Sequence, residues 1–141
     1  MKKFNHVALS LNDDKKVVYT AQFAKNFHLR MLICKFVFDK GSVPLNPFTT
    51  FGYYLYELVE RNLVRNANNN LLKRSDELWV FGEISDGIIA EVKIFKKLNK
   101  PIRYFDITNI PKKIVEIKKM GKIKFEGDLE KNRKNLLKEL I

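Results

Sequence analysis

Short apolar runs alternate with segments of helical period along most of this chain. Compact strand-like runs occupy residues 17–21, 42–48, 77–81 and 102–105, and Gly82 directly follows the third of them. Strands that alternate with helices across short connections are typical of a parallel sheet covered by helices on both faces. We therefore predict an α/β fold.

Three helices are expected between these strands. The first begins near Phe23 and ends at Gly41, and its predicted buried face is Phe27, Met31, Cys34 and Phe38. The second spans about residues 53–73, with a buried stripe of Leu55, Leu58, Val59, Leu63, Ala67, Leu71 and Leu72. The third is capped by Ser85 or Asp86 and runs to Leu98, with Ile88, Val92, Phe95 and Leu98 facing the core.

Both ends of the chain depart from this alternation. Residues 4–11 alternate well enough for an extra N-terminal strand. Beyond Asp106 we expect a short strand around residues 123–125 and a terminal helix over residues 128–141. The economical interpretation is one domain over residues 1–141, with a core at about 15–106 and a C-terminal elaboration at 107–141.

The composition of the chain limits the classes of protein to which it can belong. The chain has 141 residues, and 27 basic against 16 acidic side chains give a net charge of +11. This charge attracts polyanions, but no arginine cluster or nucleic-acid-binding motif accompanies it, so nucleic acid is a secondary expectation. No apolar run of membrane-spanning length or secretory signal occurs, and Cys34 has no disulfide partner. We expect a cytoplasmic protein that needs no metal or cofactor and contacts no membrane.

Ligands of open parallel sheets bind at the carboxyl ends of the strands, where strand order reverses. Three loops fall there in this chain: Gln22 and Phe23, Asn46 to Phe48, and Gly82 to Gly87. In the third loop the two glycines permit close approach of a ligand, and the following helix presents free amides to an anion. This loop is the best candidate for a site.

Glu91 lies about one turn into that following helix. The positive end of the helix dipole should favour its ionised form, and an ionised carboxylate in a partly dry pocket can attack an anomeric carbon. The plainer interpretation is a surface glutamate that pairs with Lys93 or Lys97. By the same argument Asp86 is a helix cap and Asp76 is an acid that precedes a strand.

The central part of the chain resembles the nucleoside 2-deoxyribosyltransferase superfamily, within it the small branch common in bacterial and phage genomes. The resemblance is carried by Gly41-Ser42-Val43-Pro44-Leu45-Asn46-Pro47, by Leu72-Lys73-Arg74-Ser75-Asp76-Glu77-Leu78-Trp79-Val80-Phe81-Gly82, by Ile84-Ser85-Asp86-Gly87 with Glu91, and by Lys100-Pro101-Ile102-Arg103-Tyr104-Phe105.

The resemblance implies a five-stranded, Rossmann-like parallel sheet in a homodimer or larger homo-oligomer. It also implies that Glu91 is a nucleophile that displaces the base from C1′ of a nucleoside or nucleotide. Asp76 and Asp86 are then the nearest acids that could assist the leaving base. The expected substrate-binding residues are Tyr19, Gln22, Phe23, Asn46, Phe48, Gly82, Ser85 and Gly87, with Ser85 and Gly87 on the sugar or a phosphate.

The chain also departs from that family. Relatives often carry a Ser-Pro-Tyr or Gly-Pro-Phe turn after the first parallel strand, where this chain has Ala21-Gln22-Phe23. A nucleotide-binding or nucleotide-sensing module, in which Glu91 grips ribose hydroxyls, is therefore the first alternative. A nucleic-acid-associated basic protein is the second.

Overall fold

A five-stranded sheet forms the centre of the computed structural model, which describes residues 2–52 and 55–141 apart from the side chain of Tyr56. The strands are β1 (Val17–Gln22), β2 (Val43–Leu45), β3 (Glu77–Phe81), β4 (Ile102–Asp106) and β5 (Val115–Ile117). Their order is β2-β1-β3-β4-β5. The first four are parallel, whereas β5 is antiparallel to β4.

The expectation of a wholly parallel sheet is therefore wrong at its last strand. Only residues 107–114 join β4 to β5. This connection is shorter than the dozen or so residues that a parallel crossover needs, so the chain turns back beside β4. The Asp106 carboxylate stabilises the start of the turn, because its Oδ1 accepts hydrogen bonds from the amide and the hydroxyl of Thr108 at 2.8 and 2.5 Å.

Helices cover both faces of the sheet. They are α1 (Arg30–Asp39), α2 (Pro47–Thr50), α3 (Leu55–Leu58), α4 (Arg61–Arg74), α5 (Asp86–Lys96) and α6 (Arg133–Leu140). Helices α4, α5 and α6 pack on one face with Tyr19, Val80 and Tyr104 of the strands. Helix α1 packs on the other face, where Ile33 and Val37 contact the strand aromatics. Within the described residues, no helix is both long enough and apolar enough to cross a membrane.

The predicted buried face of the first helix is wrong. Residues 24–29 form a 3₁₀ helix, and α1 begins only at Arg30. A 3₁₀ helix has three residues per turn, so it changes the phase of the residues that follow. Ile33 and Val37 are buried as a result, whereas Met31 and Phe38 are 62% and 63% exposed.

The second predicted helix is interrupted. Its first predicted residues, Tyr53 and Tyr54, lie outside the described residues, and the described part ends at Leu58 before α4 starts at Arg61. The Glu60 carboxylate caps α4 by accepting hydrogen bonds from the amides of Asn62 and Leu63. Leu72 is buried as predicted, but Val64 is buried in place of Leu63, and Leu58 and Leu63 are exposed.

The third helix largely follows its prediction, with Ile88, Val92 and Phe95 buried, although it ends at Lys96 and Leu98 is 37% exposed.

The ends of the chain also differ from expectation. The predicted N-terminal strand at residues 4–11 is wrong, because Val7–Ser10 form an exposed 3₁₀ turn. The His6 ring caps this turn by accepting a hydrogen bond from the amide of Ala8 at 3.0 Å, and none of the strands among the described residues pairs with it. Phe125 makes a single bridge to Ile84 rather than a strand. Residues 127–132 form a 3₁₀ helix that precedes α6.

Two phenylalanines of α1 test which face of this helix is buried. The Phe36 ring lies edge-on to Trp79, Phe81 and Phe105, with ring centroids 5.3 to 6.2 Å apart. Phe36→Ala should lower the free energy of unfolding by about 2–4 kcal/mol, since it leaves a void among these rings. Phe38→Ala, two residues along the same helix, should change it by less than about 0.5 kcal/mol. Urea denaturation of both variants measures the difference. Equal losses of unfolding free energy would contradict the assignment of the buried face of α1.

Candidate active site

A cleft opens where β1 and β3 end side by side. The two strands pair in parallel from Val18 opposite Glu77 to Gln22 opposite Phe81, so their carboxyl ends lie together at one edge of the sheet. The chain leaves β1 towards β2 on one side and returns to β3 on the other. The connections after the two strands therefore diverge, and a crevice between them is the expected result.

The cleft has a volume of about 660 Å³. Most of the residues predicted from sequence lie on its wall: Gln22, Phe23, Phe48, Ser85, Asp86, Gly87 and Glu91. The remaining lining residues are Ala24, Glu57, Arg61, Arg65 and Ile88.

Glu91 occupies the second turn of α5 and faces this cleft. Burial raises the pKa of its carboxyl to about 7, and a hydrogen bond with Tyr19 opposes that rise. The sequence predicts that the helix dipole holds this carboxylate ionised, but loss of water around the carboxyl has the larger effect. Lys93, a suggested surface partner of Glu91, instead pairs with Glu139 at 2.6 Å.

The first turn of α5 is already capped by its own side chains. Ser85 Oγ accepts a hydrogen bond from the Ile88 amide at 3.4 Å, and Asp86 Oδ1 accepts one from the Gly87 amide at 2.7 Å. The sequence predicts that these amides are free to bind an anion. They are occupied, and the carboxylate of Asp86 adds negative charge at the same place.

Asn46 lies behind the cleft wall and is not part of its lining. It is buried, and its Nδ2 donates hydrogen bonds to Thr20 Oγ1 at 2.9 Å and to Gln22 Oε1 at 2.8 Å. Its Oδ1 accepts hydrogen bonds from the amides of Phe48 and Thr49 at the start of α2. One buried amide thus connects the end of β1 to α2, and this positions two residues of the wall, Gln22 and Phe48.

Aromatic rings supply the apolar part of the wall. Phe23 follows β1 directly, and Phe48 lies in α2 with its ring edge-on to Phe27 at 5.5 Å between centroids. Ile88 of α5 completes this surface. Such a wall can bury one face of a planar ring.

Asp76 and Gly82 lie outside the cleft. The Asp76 carboxylate accepts a hydrogen bond from the Val17 amide at 2.8 Å, at the amino ends of β1 and β3. It is therefore at the opposite edge of the sheet from Glu91 and cannot serve the same site. Gly82, with φ of 80°, lines a separate cavity of about 370 Å³, and a Cβ added there would lie 2.9 Å from Ile107 Cδ1.

Sequence reasoning missed Glu57, Arg61 and Arg65. A usable signal was present, because α4 returns the chain from the end of β2 to the start of β3. Such a helix begins at the carboxyl edge of the sheet, so polar residues of its first two turns lie near a ligand there. No group of three or more His, Cys, Asp or Glu side chains suited to a metal ion occurs among the described residues.

A family model described as a domain of unknown function, DUF7768, matches residues 17–105. The chain belongs to this family. The match runs from the start of β1 almost to the end of β4, so the DUF7768 region includes β1, β3, α4 and α5, which form the cleft. No curated protein matches the chain.

The pKa of Glu91 predicts how stability depends on pH. Between the carboxyl's ordinary pKa near 4.5 and its raised pKa of about 7, the folded protein holds a proton that the unfolded chain has released. Stability contributed by the neutral carboxyl is therefore present at low pH and is lost as the pH rises through 7. Glu91→Gln should be more stable than wild type at pH 8, on the order of 2 kcal/mol, and of similar stability at pH 5.

Denaturation of wild type and Glu91→Gln at both pH values measures this effect. Glu83→Gln is the matched control, since Glu83 is an exposed glutamate of the loop before α5 and does not line the cleft. The control should differ from wild type by the same amount at pH 5 and pH 8. An equal difference at the two pH values for Glu91→Gln would contradict the raised pKa.

Proposed function

We propose that this protein acts on the N-glycosidic bond of a nucleoside or nucleotide, as a nucleoside 2-deoxyribosyltransferase-like transferase or hydrolase with Glu91 as its nucleophile. The observation that carries the proposal is the Glu91 carboxyl, held beside Tyr19 in the cleft at the ends of β1 and β3. The resemblance of residues 41–105 to that superfamily supports it. So does the strand order, which suits a Rossmann-like fold in which ligands bind at this edge.

The proposed reaction proceeds in two displacements. An ionised Glu91 oxygen attacks C1′, the bond between C1′ and the base nitrogen breaks, and its electron pair leaves with the base. Asp86 is the one of our two acid candidates from the sequence that lines the cleft, and we assign it the transfer to the leaving base of a proton that it first takes up from solvent. A second base or water then attacks C1′ of the glycosyl ester and releases the Glu91 carboxylate.

The remaining lining residues suit the parts of such a substrate. Phe23, Phe48 and Ile88 offer an apolar surface for a base. The Gln22 side chain is fixed, since its Nε2 donates to the carbonyl of Asn26 at 2.6 Å and its Oε1 accepts from Asn46. A fixed amide is suited to orienting a sugar hydroxyl. We place the protein in the cytoplasm because its single cysteine has no disulfide partner, and we expect a homo-oligomer by analogy with the superfamily.

A binding module is the second candidate, and the pKa of Glu91 favours it. A carboxyl with a pKa of about 7 is a mixture of neutral and ionised forms near neutral pH. The neutral form can donate one hydrogen bond to a ribose hydroxyl while accepting another. This candidate predicts stabilisation of the protein by a nucleotide without release of its base.

Removal of the Glu91 carboxylate should abolish glycosidic-bond cleavage. Wild type, Glu91→Gln and Glu91→Ala are incubated with deoxyribonucleosides, ribonucleosides and their 5′-monophosphates, and released or exchanged bases are separated by chromatography. We expect a loss of at least about 1,000-fold in both variants, because both lack the carboxylate that forms the ester in the proposed reaction. Glu83→Gln should retain activity. Full activity in Glu91→Ala would exclude this mechanism.

The reaction should also depend on pH in a defined direction. Attack requires the ionised carboxylate, so kcat/KM for base release should rise as the pH passes through about 7 and become constant above it. Rates measured from pH 5.5 to 9 give the midpoint. A profile that falls across this range would assign Glu91 the role of an acid instead.

A further inference from the structure

Two arginines of α4 face the same cleft as Glu91. Arg61 and Arg65 are four residues apart, so they lie on one side of the helix, and both line the cleft. Val64 between them is buried, and α4 packs against α5. Arg61 and Arg65 therefore lie on a different side of the helix from Val64.

These guanidinium groups have no carboxylate partner among the described residues. Glu57 and Asp86 line the same cleft, yet neither forms an ion pair with Arg61 or Arg65 within 4 Å. The hydrogen bond that Arg65 makes runs to a neutral group, Asn62 Oδ1, at 3.0 Å. Two positive charges in the cleft therefore retain most of their donors for a ligand.

The start of α5, which also lines the cleft, is less suited to an anion than the arginines. The Gly87 and Ile88 amides at the start of α5 are engaged by Asp86 and Ser85, and the Asp86 carboxylate repels negative charge. An anionic group of a ligand in this cleft is thus favoured on the α4 side. Arginine is suited to this task, because its planar fork donates two parallel hydrogen bonds to phosphate oxygens.

We propose that the ligand of this cleft is a nucleoside 5′-monophosphate, and that Arg61 and Arg65 bind its phosphate. The inference rests on the proposed function, because that function supplies the sugar and the base. A phosphate monoester carries a charge of about −1.5 to −2 at neutral pH and offers three acceptor oxygens, which matches two adjacent guanidinium groups. The arginines then select phosphorylated substrates over free nucleosides, and Glu91 remains available to the anomeric carbon.

Calorimetry with a probe that lacks a base tests this inference without knowledge of the base preference. The probes are 2-deoxyribose 5-phosphate, 2-deoxyribose, inorganic phosphate, the four deoxynucleoside 5′-monophosphates and the matching nucleosides. The proteins are wild type, Arg61→Gln, Arg65→Gln and Arg74→Gln. Arg74 is the matched control, since it lies at the far end of α4 and donates to Asn70 outside the cleft.

We expect each phosphorylated probe to bind wild type at least about 10-fold more tightly than its unphosphorylated partner. Arg61→Gln and Arg65→Gln should each remove most of that preference, whereas Arg74→Gln should retain it. The binding of the unphosphorylated probes should be similar in all four proteins. Circular dichroism spectra of the variants establish that they fold.

Other outcomes overturn the inference. Equal binding of monophosphates and nucleosides, or an unchanged preference in both cleft variants, excludes the phosphate site. If wild type still cleaves nucleosides in that case and Glu91→Ala does not, the proposed function is retained without the phosphate site. Tighter binding of a single-stranded oligodeoxynucleotide than of any monophosphate, lost in the same variants, would assign the arginines to nucleic acid. If folded wild type neither binds nor cleaves any of the probes, both proposals are rejected.

Discussion

The parallel pairing of β1 with β3 determines where the other parts of the molecule lie. Because β2 lies on one side of β1 and β3 on the other, the chain must cross the sheet between them, and α4 makes that crossing. The helix after β1 packs on one face and the helix after β3 on the opposite face, as the two separate core clusters around Val37 and Val92 show. A cleft at the carboxyl ends of β1 and β3 follows from this divergence, whatever the side chains are.

Side chains then connect the cleft to the sheet. The buried Asn46 amide holds β1 and α2 together through four hydrogen bonds, and the Gln22 side chain extends the network to the carbonyl of Asn26. Buried polar groups are costly when unpaired, so a network in which each amide has partners fixes the geometry of the wall. The aromatic cluster of Phe36, Trp79 and Phe105 stabilises the far face of the sheet and takes no part in the cleft.

Much of the sheet could be predicted from sequence, but the phases of two helices could not. Strands β1, β3 and β4 are compact apolar runs because both of their faces are covered, and such runs are visible without an alignment. The face of α1 was misassigned because a 3₁₀ turn precedes it, and the stripe of α4 because Glu60 restarts the helix. The loops of the cleft were predicted by the rule that ligands bind at the carboxyl ends of strands. Asp76 became a candidate acid through the resemblance alone, and its position before β3 puts it at the opposite edge of the sheet from Glu91.

The charge state of Glu91 depends on two opposing effects, the helix dipole and desolvation, and their relative size is set by the folded structure. A helix dipole contributes about 0.3–1 kcal/mol, whereas the rise of the pKa from 4.5 to about 7 corresponds to about 3 kcal/mol in the opposite direction. Desolvation therefore dominates, and the resting cleft holds less negative charge than its three carboxyl groups suggest. In the proposed reaction this is useful at first, because a neutral Glu91 does not repel an incoming phosphate. It must then ionise to attack, and the Tyr19 hydrogen bond favours the ionised form.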